Sequence, residues 1–365
     1  MNRVRSISCV AGVVGLAFAT GAAAHHSHAS LDSSNPQTKA GVVVEYLWKV
    51  PHVYLIVDVP DETGESVRYT VETMNPPSLA RLGWTADAFK PGDPIIWRGA
   101  HDRDSSRPYM GLDWAQSADG PRMFASNRSL QDYLEETGAE APSGAVVNAE
   151  VLPAESFPSG FWTRTVSPYR EPPAGMPLTE KAQALVAGFH ESQNPLNECI
   201  YPGPPRMMMM PMAYNFRWED GDTIIIDRDL WPQPRVVHMS ADAAPPAEPT
   251  AWGYSTGRFD GDVLVIETTN FVDDRWGTQI GLHSSGQKQL VERYWLEEDG
   301  MALKGEFTIT DPEYLTEPMV IQHSWAKVAD RPTLQAECSM EVAWFYITAG
   351  YEEGEYEVPV TLPQQ

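Results

Sequence analysis

The chain has 365 residues, with 26 Lys and Arg against 50 Asp and Glu and a formal net charge of −24. A surface this acidic repels phosphate backbones and anionic lipid, which argues against nucleic acid and membrane surfaces as partners. The hydrophobic share, 42%, is enough to fill packed cores, and the length exceeds one ordinary domain.

The first residues point to export. Arg3 and Arg5 precede an apolar run from Val10 to Ala19 that is too short to span a bilayer, and Ala22, Ala23 and Ala24 supply small residues for a cleavage site. Residues 1–24 therefore read as a secretory signal peptide, which predicts a periplasmic or secreted protein with no membrane insertion after cleavage. A lipoprotein anchor at Cys9 is disfavoured, because Ser6-Ile7-Ser8 is a poor lipobox and most of the apolar run follows the cysteine. Removal of Cys9 leaves Cys199 and Cys338, an even pair in an oxidising compartment, and these are predicted to form a disulfide.

Cleavage after Ala24 would start the mature chain at His25-His26-Ser27-His28. A terminal histidine offers its amine and ring Nδ1 as a chelating pair, and one further imidazole completes a three-nitrogen set that suits copper. The candidate metal ligands are His25, His26, His28 and His52, with copper as the implied cofactor. The competing reading is a solvated tail that binds metal only adventitiously, with His52 an ordinary surface histidine near a turn.

Strand signals dominate the next hundred residues. Ala40 to Trp48, His52 to Val59, Ser66 to Thr73 and Asp93 to Ala100 are rich in β-branched and aromatic residues, and turn residues bound each run. With one short helix near Ser78 to Leu82, the pattern predicts a small OB-like β-barrel over residues 25–134. Residues 135–160 are rich in Pro, Gly, Ala and Glu with little periodicity and read as a linker.

Residues 161–365 form the predicted second domain. Pro177 to His190 reads as its one good helix, with Thr179 as N-cap. Asp-Gly pairs at 220–221, 260–261 and 299–300 sit between apolar runs, the signature of hairpins. They predict an antiparallel up-and-down β-barrel-like domain, an architecture suited to enclosing a small apolar molecule. The run Met207 to Met210 with Met212 offers thioethers for Cu(I), although such a run is more often deformable core packing.

On the strand after Gly286, parity places Leu290, Glu292, Tyr294 and Leu296 on one face. A carboxylate among such neighbours is a candidate general acid or base. With His283 upstream and Asp311 in the segment Thr308-Ile309-Thr310-Asp311-Pro312, it makes a candidate catalytic cluster for a cofactor-independent isomerase, hydratase or cyclase. The plainer alternative pairs Glu292 with charges on adjacent strands and makes Asp311-Pro312 a turn. No G-x-S-x-G elbow in a strand-turn-helix context, H-E-x-x-H, P-loop, G-x-G-x-x-G after a strand or C-x-x-C is present.

The opening His25-His26-Ser27-His28, the segment Gly41 to Val59, Gly83-Trp84 and Lys90 to Gly99 together resemble an uncharacterised bacterial domain-of-unknown-function family. Its members begin His-His-Ser directly after the signal peptide, and the similarity spans roughly residues 25 to 120. That family usually carries Trp-x-Asn-Pro-His, where this chain has Trp48-Lys49-Val50-Pro51-His52. The second half, through Cys199 to Met212, Gly253 to Phe271 and Thr308 to Pro318, resembles a β-rich C-terminal region of secreted bacterial proteins of unknown role. Neither resemblance implies an activity. Three readings stay open: a binding module for a small apolar molecule and copper, an acid/base enzyme, and an envelope interaction protein without a small-molecule site. The sequence leaves the oligomeric state open.

Overall fold

A computed structural model describes residues 30–60, 64–142, 145, 150–154, 156–166, 175–210, 212–230, 232–240, 244–279, 281–297 and 299–348. The predicted leader, residues 1–24, and the histidines His25, His26 and His28 lie outside the described residues. The described chain is mostly β, built around two closed barrels.

The first barrel begins with β1 (Gln37–Leu47), which pairs antiparallel with β2 (Tyr54–Pro60) and with β4 (Pro94–His101). β2 continues to β3 (Ser66–Glu72), and β4 to β5 (Tyr109–Ser117). A parallel pairing that sets Thr70 of β3 beside Tyr109 of β5 closes five strands into the OB-like barrel expected from the strand pattern. Period-2 alternation sends Val53, Leu55 and Val57 inward with Val71, Trp97, Met110 and Ala115, all fully buried. Burial of each Val, Leu or Met side chain among them contributes about 1.5–3 kcal/mol relative to exposure.

The short helix α1 (Pro76–Ala80) joins β3 to β4, its first turn capped by the Asn75 side chain on the Ser78 amide at 3.0 Å. A three-residue strand, β6 (Arg122–Phe124), extends the sheet from β5. A helix not foreseen from the pattern, α2 (Asn127–Thr137), follows it. Ser126 and Ser129 cap it reciprocally, and Gly138 ends it in the left-handed region.

The second barrel has nine strands: β7 (Gly160–Val166), β8 (Tyr214–Asp220), β9 (Thr223–Arg228), β10 (Arg235–His238), β11 (Tyr254–Asp260), β12 (Val263–Thr269), β15 (Gln289–Leu296), β16 (Leu303–Thr310) and β17 (Met319–Val328). The Asp-Gly turns fall where expected, with Gly261 and Gly300 at φ 62° and 66°, a backbone region that favours glycine. The last strand returns to β7, which closes the ring. One pair departs from a pure up-and-down order, because β10 and β11 run parallel. Parallel neighbours need a long crossover, and residues 239–253 with their three prolines supply it.

Outside this barrel lie α3 (Glu180–Ala187), capped by Thr179 as expected, and the one-turn α4 (Arg206–Met209). A hairpin of β13 (Asp274–Gln279) and β14 (Leu282–Ser284) stands apart from the barrel wall. Met207, Met208 and Met212 are buried in the core cluster of the second barrel, so these thioethers act as apolar packing at its end.

Helix α5 (Met340–Thr348) packs back onto the first barrel, where Val342, Tyr346 and Ile347 meet Tyr54, Ile56 and Tyr109. The predicted disulfide is formed: Cys199 and Cys338 are bonded with Cα atoms 5.9 Å apart. Cys338 also bridges Val50, so this staple sits where the two barrels and the C-terminal segment meet. No helix among the described residues is long and apolar enough to cross a membrane.

Candidate functional site: the interior of the second barrel

Alternation along the nine strands sends an unusual set of polar side chains inward. Arg228 follows Ile224 and Ile226 on the core face of β9, Arg235 opens β10, and Glu292 lies between Leu290 and Tyr294 on β15. His323 and Trp325 share the inward face of β17, and Trp325 is the register partner of Arg164 on β7. All but Arg164 are almost completely buried.

One part of this set is self-satisfied. The Arg235 guanidinium donates to both carboxylate oxygens of Glu292, to Ser255 Oγ at 3.2 Å and to Thr268 Oγ1 at 2.9 Å. Tyr294 donates its hydroxyl to Glu292 Oε1 at 2.8 Å. Burial works against the Arg235 charge, but the paired Glu292 carboxylate outweighs it and holds the guanidinium above its ordinary value.

The other part is not satisfied. His323 is 3% exposed, and neither ring nitrogen has a hydrogen-bond partner. Its ring lies 4.2 Å from that of Phe307 and is stacked on Trp325 at 5.2 Å. The Trp325 Nε1 and the Arg164 Nε also lack acceptors. Arg164 spends its two terminal nitrogens on the carbonyls of Met208 and Met209, tying α4 to the barrel end. Burial, assisted by the nearby Arg164 charge, pushes His323 down to about 3, so its ring is neutral at ordinary pH. Burial likewise brings Arg228 down to about 10.

The residues singled out from sequence are distributed over separate places. Glu292 is inside the barrel in the ion pair with Arg235. Asp311 is buried just after β16, where its carboxylate accepts from the Ser285 amide at 2.7 Å, the Ser285 hydroxyl at 2.8 Å and the Glu313 amide at 3.2 Å. His283 is half-buried on β14, its ring 6.2 Å from that of Tyr314. Burial, with Arg275 and Lys181 nearby, lowers its pKa. No hydrogen bond among the described residues joins any two of His283, Glu292 and Asp311.

His52 belongs to the first barrel, where its Nδ1 bonds to the buried Glu72 carboxylate, which also accepts from Tyr109. Among the described residues no cluster of three or more His, Cys, Asp or Glu side chains is arranged to hold a metal. His25, His26 and His28 lie outside them.

Sequence reasoning missed Arg164, Arg228, Arg235, His323 and Trp325. Strand parity carried a signal for two of them: Arg228 shares a face with Ile224 and Ile226, and His323 shares one with Met319 and Ile321.

Fold and interior together define a two-barrel β protein whose larger barrel buries a set of incompletely bonded polar side chains within an apolar core. Residues 14–111 match the model of a family described as a family of unknown function (DUF6152), in line with the resemblance read from the sequence, and the match ends within β5. No curated protein matches the chain, and no solved structure does.

Proposed function

We propose that the second barrel is a receptor for a small, largely apolar molecule that carries hydrogen-bonding oxygen atoms. A single observation carries this reading: His323, Trp325 and Arg164 turn buried, unpartnered nitrogens into the same barrel interior. A buried polar group without a partner costs about 1–3 kcal/mol, and four such atoms in one core are rare unless something fills the bonds. The aromatic walls formed by Phe216, Tyr294 and Phe307 suit an apolar body.

The acid/base alternative would need His283, Glu292 and Asp311 within mutual reach. The hydrogen bonds of Glu292 and Asp311 run to other partners, and binding is the better-supported reading. The test is native mass spectrometry of the freshly purified chain, followed by titration with decanol and decanoate read through tryptophan emission. A stoichiometric adduct or a saturable emission change, lost in His323→Phe, supports the receptor. A bare mass together with no response to either probe overturns it.

Export to the periplasm or medium, and copper capture by His25, His26, His28 and His52, are separate proposals that rest on the leader and the histidines after it. The mass of the exported chain decides both, through the position of its N-terminus and through a copper increment that EDTA removes.

A further inference from the structure

A second set of unpartnered nitrogens lies outside the barrel, between the β13–β14 hairpin and the loop that leads into α4. Arg206 is 1% exposed, and its guanidinium makes one hydrogen bond, from Nη2 to Asn194 Oδ1 at 3.1 Å. Its Nε and Nη1 have no acceptor. The guanidinium carbon stands 5.4 Å from the ring centre of Trp276, which is completely buried and whose Nε1 also lacks an acceptor. Arg275 adds a fourth unpartnered donor, Nε, while its Nη2 is bonded to Glu198.

The backbone here is strained. Trp276 has φ 60°, a conformation rare for a bulky residue and one that tends to persist at functional sites. Lys288 closes another side, its buried Nζ donating to Ser284 Oγ at 3.0 Å and to the Pro204 carbonyl at 3.2 Å. Desolvation pushes that amine down to about 8 despite Asp274 and Asp311. Asp311 is occupied by Ser285, and Asp274 is pushed up by its own burial although Lys288, Arg206 and Arg275 surround it.

The four unpartnered groups have one property in common: each is a donor. A ligand that meets them all must be an acceptor with several oxygens, and the guanidinium and ammonium groups nearby favour one that is negatively charged. We propose that Arg206, Trp276 and Arg275 form a receptor for a small oxyanion, either free phosphate or sulfate or the carboxylate of a larger molecule. This site is independent of the barrel interior and does not rest on the receptor reading given above.

The experiment titrates the full chain with sodium phosphate, sodium sulfate and sodium acetate at an ionic strength held constant with sodium chloride, and reads thermal midpoint and tryptophan emission. A saturable midpoint rise with phosphate or sulfate alone supports the proposal and identifies a tetrahedral anion. A rise with acetate as well supports it and identifies a carboxylate receptor. Trp276→Phe removes one N–H and keeps the ring, and Arg206→Lys keeps the charge and removes the unpartnered nitrogens. Each is expected to weaken the response about tenfold. Absence of any rise beyond the chloride control overturns the proposal, and so does a rise that both variants leave unchanged.

Discussion

Trp325 lies across the backbone of Gly305: a Cβ at position 305 would stand 2.7 Å from Cζ3 and 2.9 Å from Cη2 of the indole. Neighbouring strands β16 and β17 bring them together, and the indole in turn stacks on His323. Position 305 therefore sets where the unpartnered Trp325 Nε1 and the His323 ring sit within the barrel.

Gly305→Ala is expected to destabilise the chain by about 1–3 kcal/mol, the usual cost of forcing an extra methyl against a packed side chain. It should also alter the response to decanol and decanoate, because the indole must move. Urea unfolding and the emission titration measure the two effects. A variant as stable as the parent would show that Trp325 has room to shift.

The Arg235–Glu292 pair gives a second expectation. Glu292→Gln removes the charge and leaves the buried Arg235 guanidinium uncompensated, so the loss should be about 3–5 kcal/mol. The double variant Arg235→Met with Glu292→Met removes both charges and should be less destabilised than either single change. Urea midpoints of the three variants form the test. A double variant worse than both single ones would give the pair a role that charge balance does not explain.

These relationships show where the sequence was readable. Local signals carried well: Asp-Gly pairs marked the turns of β8–β9, β11–β12 and β15–β16, and Thr179 marked the start of α3. Long-range closure did not, because nothing near Thr70 announces that its strand will lie parallel to Tyr109. Helix α5 was missed since Met340–Thr348 is apolar on nearly every side, with contacts to the first barrel and to the loop around Asn197, and lacks a polar stripe. Glu292 was readable as an inward carboxylate. Its partner Arg235 lies 57 residues away in the chain and was not. The left-handed backbone of Trp276 contradicts the ordinary preference of its residue type, so local reasoning points away from it.

The Cys199–Cys338 bond closes a segment of 139 residues, for which chain entropy sets an upper stabilisation of about 4–5 kcal/mol. Its position suggests a local consequence as well. Cys338 lies just before α5, which is held on the first barrel by Tyr346 and by the Arg107 donation to the Tyr346 carbonyl at 2.9 Å. Reduction, or the double change Cys199→Ser with Cys338→Ser, should lower the thermal midpoint. It should also make residues 335–348 the first to be cut in limited proteolysis. Unchanged protection of that stretch would mean that the helix docks without the staple.

His323 yields a pH dependence whose sign can be worked out. Its folded value, about 3, lies below the ordinary histidine value of about 6.5. Between those limits the unfolded chain binds a proton that the folded chain refuses, so acid favours unfolding. Stability is therefore unaffected by this group above about pH 6.5. It falls by up to about 1.4 kcal/mol per pH unit below that, and the loss levels off near pH 3. Carboxylates titrate over part of the same range, so the informative quantity is the difference between the parent and His323→Phe. Urea unfolding between pH 4.5 and 6.5 should give a slope for the variant that is shallower by about one proton. Equal slopes would mean that the ring is charged, or reaches solvent, inside the folded barrel.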